Sequence, residues 1–350
     1  MRAATALFAI AGMAVAANAQ VTFNEIAKFG IGNEFNSTTA NGTNGAAIAW
    51  DGTNVYVAGY NNSGAPGSSG IVHYNASGAV QNSFGSLSTP NGRGYSGIDV
   101  SASGIAAAYD DGAADANGLQ LFNSSGAQQW AFNIRGGSGT AFDPGFGGAD
   151  SGVASITFGS GRRWLNDTGT GATIYDGTNG MIVTDFGGSF WRSMDFRDSD
   201  GDMVLRRAND LIYVDRTGGN SGNVSVIVDT NENAPFVNGQ NVAFAFDTGT
   251  TSDFIIYNDR AAAGSGQLFE TVVGLVDTSG ASIAANFNYS DAGFGAGNAY
   301  YDFSYDAGTG TLAVVDFFNN EVRIFSIVPA PSTAALLGLG GLVAARRRRA

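Results

Sequence analysis

Four short runs end alike. Tyr60-Asn61-Asn62, Tyr109-Asp110-Asp111 and Tyr257-Asn258-Asp259 place two Asn or Asp side chains after a tyrosine, and Phe318-Asn319-Asn320 does so after a phenylalanine. Such groups could stack a ring on a sugar and bond its hydroxyls, or offer oxygens to a hard cation such as Ca2+. The same residue types also form turns where a chain leaves a strand, and both uses stand open. A denser group is Asp198-Ser199-Asp200-Gly201-Asp202. Alternating carboxylates in a glycine-containing loop could wrap Ca2+ through Asp198, Asp200 and Asp202 at about 2.3–2.6 Å per oxygen. Met203, however, stands where an EF-hand-type loop has glycine, and no Glu follows at the ligating offset.

Other catalytic chemistry has few carriers. His73 is the one histidine and sits inside an expected strand beside Tyr74, with no partner motif. There is no cysteine, which removes thiolate nucleophiles, Cys-ligated zinc and disulfides. No GxSxG elbow or phosphate-binding glycine loop occurs. A carboxylate pair could serve a glycosidase, but 30 acidic residues offer no selection of a pair. Eight Asn-x-Ser/Thr triplets follow from a chain rich in those residues and carry little as glycosylation sites.

Charge narrows the partners. Setting aside Arg2 and the four arginines Arg346 to Arg349, residues 20–328 carry 12 basic against 30 acidic side chains, a net of −18. Such a body repels phosphate backbones, which argues against nucleic acid. Only 13% of residues are charged, with one lysine, which excludes coiled coils and long solvated helices. Hydrophobic residues make up 44%, enough for a core that must hold without disulfides.

The elements that would position these groups are short strands between Asn-Gly, Asp-Gly and Ser-Gly turns. A repeat is visible. Gly70 to Ala79 (GIVHYNASGA) aligns with Gly118 to Ala127 (GLQLFNSSGA), 48 residues on, each a strand, a tight turn and a second strand. Ile48 to Val55 aligns with Ile98 to Ile105, 50 residues on, as a further hairpin. The pattern drifts through runs at 152–186, 189–229, 241–288 and 299–327. About six units of up to four strands predict an all-β fold, a β-propeller of six four-stranded blades. The last unit lacks a fourth strand, and Phe23 to Phe29 lacks a unit, so the N-terminal strand is expected to close the ring. The four aromatic-Asx runs then fall on one face, between second and third strands. Val315 to Phe325 (VDFFNNEVRIF) resembles the ending of an NHL repeat, which implies the six-bladed architecture and no particular activity.

Both ends read as addresses. Met1-Arg2, an apolar run and Ala17-Asn18-Ala19 form a Sec signal peptide over residues 1–19, with Gln20 first after cleavage. Residues 329–350 hold Pro329-Ala330-Pro331, an apolar stretch expected as a short helix, and Arg346, Arg347, Arg348 and Arg349. This order resembles the PEP-CTERM sorting tail of Gram-negative bacteria, with Ala330 where that family usually has Glu. The resemblance implies an exosortase-type sorting enzyme as partner, a transient inner-membrane contact through the tail, and delivery to the cell surface, outer membrane or extracellular matrix. Residues 20–328 are accordingly expected as a non-catalytic propeller that binds extracellular polysaccharide or a surface protein, with Ca2+ as an optional cofactor. The alternative is a secreted glycoside hydrolase or lyase using paired carboxylates.

Overall fold

A computed structural model describes residues 20–35, 44–60, 67–89, 93–110, 118–132, 137–145, 152–157, 163–166, 173–175, 191–207, 210–218, 221–229, 242–245, 253–258, 269–295 and 300–328. The expected signal peptide and sorting tail lie outside them. So do Asn61, Asn62, Asp111 and Asp259.

The chain opens with β1 (Gln20–Gly30). Antiparallel sheets then follow in chain order. The first holds β2 (Asn44–Trp50), β3 (Asn54–Tyr60), β4 (Gly67–Asn75) and β5 (Val80–Thr89), and the second β6 (Gly94–Ser101), β7 (Gly104–Asp110), β8 (Gly118–Phe122) and β9 (Gln128–Phe132). The third holds β10 (Gly137–Asp143), β11 (Gly152–Thr157), β12 (Arg163–Asn166) and β13 (Thr173–Tyr175), and the fourth β14 (Trp191–Phe196), β15 (Met203–Arg207), β16 (Asp210–Gly218) and β17 (Ser221–Asp229). In the fifth, β18 (Val242–Ala245) and β19 (Phe254–Asn258) precede one helical turn, α1 (Phe269–Val272), and β20 (Val273–Val276). After β21 (Ala284–Asn288) come β22 (Tyr301–Asp306), β23 (Thr311–Asp316) and β24 (Glu321–Val328). Among the described residues no helix is long and apolar enough to cross a membrane.

The first strands of the sheets are neighbours in a circuit: β2 lies beside β6, β6 beside β10, β10 beside β14, β14 beside β18, β18 beside β22, and β22 returns to β2. They enclose a narrow passage. Close approach explains their composition. A Cβ at Gly139 would stand 2.5 Å from the Ser193 Cα, and one at Gly97 2.9 Å from the Thr140 nitrogen. Thr140 and Ser155 are buried, and their hydroxyls donate to the carbonyls of Ala154 (2.7 Å) and Gly139 (2.9 Å). Gly137–Asp143, which the repeat pattern leaves unassigned, thus forms a first strand. The repeat alignment had begun the third unit only at residue 152.

β1 pairs antiparallel with β24, from Thr22↔Val328 to Gly30↔Glu321, as the missing fourth strand predicted. One feature differs from expectation. Residues 282–287, expected within the fifth unit (241–288), meet β20 only at their start, through the Val276↔Ser282 bridge and the Ile283 N–H, which donates to the Leu275 carbonyl at 2.9 Å. They continue as β21, parallel to the outer side of β1, from Gln20↔Ala284 to Asn24↔Asn288. Aromatic packing accounts for the crossing: Phe287 stacks on Phe23 at 4.5 Å, and Phe269 meets Phe287 edge-on at 5.0 Å.

A turn recurs between third and fourth strands. Asn75 Oδ1 accepts the Ser77 N–H, the Ser77 hydroxyl and the Ala79 N–H at 2.8–3.0 Å. Asn123 does the same with Ser125 and Ala127, and Asp277 with Ser279 and Ala281. The glycine that follows has φ of 82–85° in all three (Gly78, Gly126, Gly280), a conformation that side chains resist. Each glycine lies under a neighbouring sheet. A Cβ would fall 2.4 Å from the Phe29 ring at Gly78, 2.6 Å from the Phe84 ring at Gly126, and 2.1 Å from the Ile227 carbonyl at Gly280. The Asn75 and Asn123 triplets are therefore turn chemistry that also docks one sheet on the next.

Candidate functional site

The first strands end together on one face, because Trp50, Val100, Phe142, Phe196 and Tyr305 line a single cleft. The aromatic-Asx runs end second strands, opposite the starts of the first strands (Tyr60↔Asn44, Asp110↔Gly94, Asp316↔Tyr301), and so lie on the other face. There the described members are held by the fold. Tyr60 is buried with Ala46, Tyr300 and Phe317. Tyr109 is half-buried and edge-on to Tyr95 at 6.2 Å, and Asp110 pairs with Arg93 at 2.6 Å. Tyr257 and Asn258 are buried, and the Asn258 amide donates to the Tyr301 carbonyl at 2.6 Å. Asn319 donates to Asp316 at 2.7 Å, while Asn320, at φ 49°, accepts the Gly45 N–H at 3.2 Å.

The acidic turn encloses an arginine. Asp200 receives the Arg197 Nε and Nη2 at 2.9 and 2.6 Å, Asp202 bonds the same guanidinium, and Asp253 joins from the next sheet at 3.0 Å. Asp202 also accepts the Tyr213 hydroxyl and the Arg216 N–H. Burial pushes its carboxyl above the usual range, with the Tyr213 and Arg216 hydrogen bonds opposing. Asp198 stays exposed at the rim of the cleft. His73 stacks on Tyr56 at 4.6 Å, and its two ring nitrogens meet the Asn82 and Asn54 side-chain oxygens at 3.0 and 2.9 Å. It is a strand side chain tied to its neighbours.

The cleft is larger than the passage that leads to it. The passage between first strands holds only about 60 Å³, then widens at their ends to about 410 Å³, within the usual size range of ligand pockets. Phe142 and Tyr305, half-buried, supply aromatic surface, Trp50 and Phe196 line it as buried side chains, and Asp51, Asp99, Asp195, Asp198 and Asp306 supply carboxylates. No Lys, Arg or His lines it among the described residues. Local structure fixes these groups. Trp50 donates its indole N–H to Thr311 at 2.8 Å. Asp51 accepts the N–H groups of Thr53 and Asn54, and Asp306 accepts the N–H and hydroxyl of Thr309. Asp99 joins two sheets by accepting the Val100 N–H at 2.8 Å and the Phe142 N–H at 2.7 Å. Burial pushes the Asp99 carboxyl up to about 7; the Asp198 charge adds to this, and the two backbone hydrogen bonds oppose it. Ser304 makes the same inter-sheet bond, accepting the Trp50 N–H at 2.9 Å, and Asp302 accepts that of Ile48 at 2.7 Å.

Sequence reasoning passed over this cleft because its residues are scattered over five different repeats. A signal was there. Trp50 and Val100 occupy the same place in the aligned hairpins, and continuing the alignment would have brought Phe142, Phe196 and Tyr305 into that column.

No family model matches the chain, and no curated protein matches it. Solved structures do. A structure described as the Dos1 propeller is 13% identical over 81% of this chain and 68% of its own, with a TM-score of 0.43. An auxiliary nutrient binding protein from Bacteroides thetaiotaomicron is 10% identical over 82% of this chain and 69% of its own, with a TM-score of 0.50. Likeness at such identity is one of fold, and the fold that the sheets display, first strands in a circuit with further strands outward, is a β-propeller.

Proposed function

We propose that the chain is an exported, non-catalytic carbohydrate-binding propeller of six blades, whose last blade is completed by the N-terminal strand. The signal peptide over residues 1–19 and the PEP-CTERM-like tail over 329–350 route it to the cell surface or extracellular matrix. The ligand site is the cleft at the ends of the first strands rather than the aromatic-Asx face. The observation that carries the reading is the lining of the cleft: aromatic surface beside fixed carboxylate acceptors is what a sugar ring, with its apolar face and its hydroxyls, requires. Six contacts between neighbouring first strands and the pairing of β1 with β24 support the blade count and the closure.

The glycosidase alternative draws support from Asp99, whose raised carboxyl lies near the Asp198 charge. Against it, both Asp99 oxygens already accept backbone N–H groups. The test is a glycan array on the full-length protein, followed by titration of any oligosaccharide retained, with reducing-sugar release measured in parallel. Tyr305→Ala is expected to weaken binding at least tenfold without sugar release. Unchanged binding in that variant moves the site elsewhere, and release of reducing ends makes the protein a hydrolase.

A further inference from the structure

The molecule treats its carboxylates in two ways. Several inside the sheets and seams meet arginine: Asp143 meets Arg216, Asp202 and Asp253 meet Arg197, and Glu25 meets Arg323. Three that line the cleft do not. Asp51, Asp99 and Asp306 are held by neutral backbone N–H, amide and hydroxyl donors. At Asp51 and Asp306, toward the mouth, neutral donors fix the carboxylate without supplying an opposing charge, while burial raises the Asp99 carboxyl to about 7. The cleft is therefore a concave pocket with aromatic residues in its wall, whose negative potential is left standing. An aromatic face beside an uncancelled carboxylate is also the setting in which an ammonium group gains both a cation–π contact and a charge-assisted hydrogen bond.

We propose that the cleft selects glycans carrying free amino groups, oligomers of a de-N-acetylated hexosamine, over their N-acetylated, neutral and acidic counterparts. The proposal rests on the carbohydrate reading above and adds the charge of the ligand to it. The sugar ring stacks against the aromatic wall, and its ammonium group faces Asp51 and Asp306 at the mouth. An N-acetyl group offers no charge there, and a uronate meets repulsion.

The experiment is calorimetric titration of the full-length protein with three probes of equal length: a β-1,4-glucosamine oligomer, the fully N-acetylated oligomer, and an oligogalacturonate. The glucosamine oligomer is expected to bind at least tenfold more tightly than the N-acetylated one, and the uronate not to bind. Because an acidic protein attracts any polycation, two variants of equal charge change are compared. Asp306→Asn keeps the turn acceptor and should weaken the glucosamine oligomer fivefold or more. Asp215→Asn, on the exposed side of β16, should leave its affinity unchanged. Equal losses in both variants would reduce the effect to general attraction and overturn the proposal. Equal or tighter binding of the N-acetylated oligomer also overturns it while leaving the carbohydrate reading intact. Binding of none of the three, with an empty glycan array, removes both.

Discussion

The seam between the first two sheets and the seams among the later ones are built from different materials. At the former, the Phe84 ring of β5 lies under Gly126 of the neighbouring turn, and Asn82 donates to the Ser125 carbonyl at 2.9 Å. No buried arginine takes part among the described residues. At the latter, Arg216 of the fourth sheet forms a two-pronged, fully buried pair with Asp143 of the third at 2.7 and 3.0 Å. Arg197 reaches Asp253 and Arg206 reaches the Asn258 carbonyl, both across to the fifth sheet. The difference teaches what replaces disulfides here. Where the repeat is well kept, shape and neutral hydrogen bonds position the next sheet. Where it drifts, a directional ion pair sets the register, the best-attested use of buried charge.

β1 takes part in both devices, since its Phe29 lies under Gly78 and its Glu25 bonds Arg323. Deleting residues 20–30 is therefore expected to have the largest effect: loss of a cooperative melting transition and aggregation through the exposed β24 edge, read by calorimetry and size exclusion. A truncated monomer with an unchanged midpoint would show that neither device matters at this seam. Next comes the ionic seam alone. Asp143→Ala leaves Arg216 charged and buried, and should cost about 3–5 kcal/mol in urea unfolding. Replacing both partners with apolar residues should recover most of that loss, whereas a double variant as unstable as the single one would give the charge itself the structural role.

The shape-based seam should yield less. Gly126→Ala imposes a positive φ on a side chain and drives its Cβ into the Phe84 ring, for about 1–3 kcal/mol. If Phe84→Ala relieves that cost in a double-mutant cycle, the contact is the cause. The smallest effect is pH. Asp99, Asp202 and Asp316 all have carboxyls raised by burial. Between about pH 4, where unfolded Asp titrates, and about pH 7, the folded state then binds more protons, so stability falls as pH rises through that window. Asp291, held low by hydrogen bonds from Arg323 and Lys28, acts only below it, where its contribution is lost. The melting midpoint is expected to be higher at pH 6 than at pH 8, and Asp99→Ser should flatten the difference.

The hairpins of the first two sheets were legible because their turns use side chains in fixed places: Asn75 and Asn123 bond the same backbone groups 48 residues apart. The pairing of β1 with β24 was legible by arithmetic, one strand missing at one end and one spare at the other. The third sheet was hidden because Gly97, Gly139 and Ser193 crowd the axis, where a normal strand residue would not fit. In the segment resembling an NHL repeat, the residues have structural work in view. Asp316 caps the turn by accepting the N–H groups of Phe318 and Asn319, and Arg323 binds Glu25, Asp291 and Glu321. The acidic turn was legible as a cation cage, but the cation now seen in it is Arg197, one residue before the motif and unremarkable in sequence.

The threading of β1 between β24 and β21 also governs time. Its partners lie roughly at the far end of the chain; Glu25 and Arg323 are 298 positions apart. A chain made amino end first must carry this strand unsatisfied while every other sheet assembles, because its partner edge is among the last parts to exist. Closing so long a loop is slow, and the waiting strand is open to any other free edge. The molecule thus completes itself in one late step, and the interval before that step is when it is most exposed to chaperones, proteases and copies of itself.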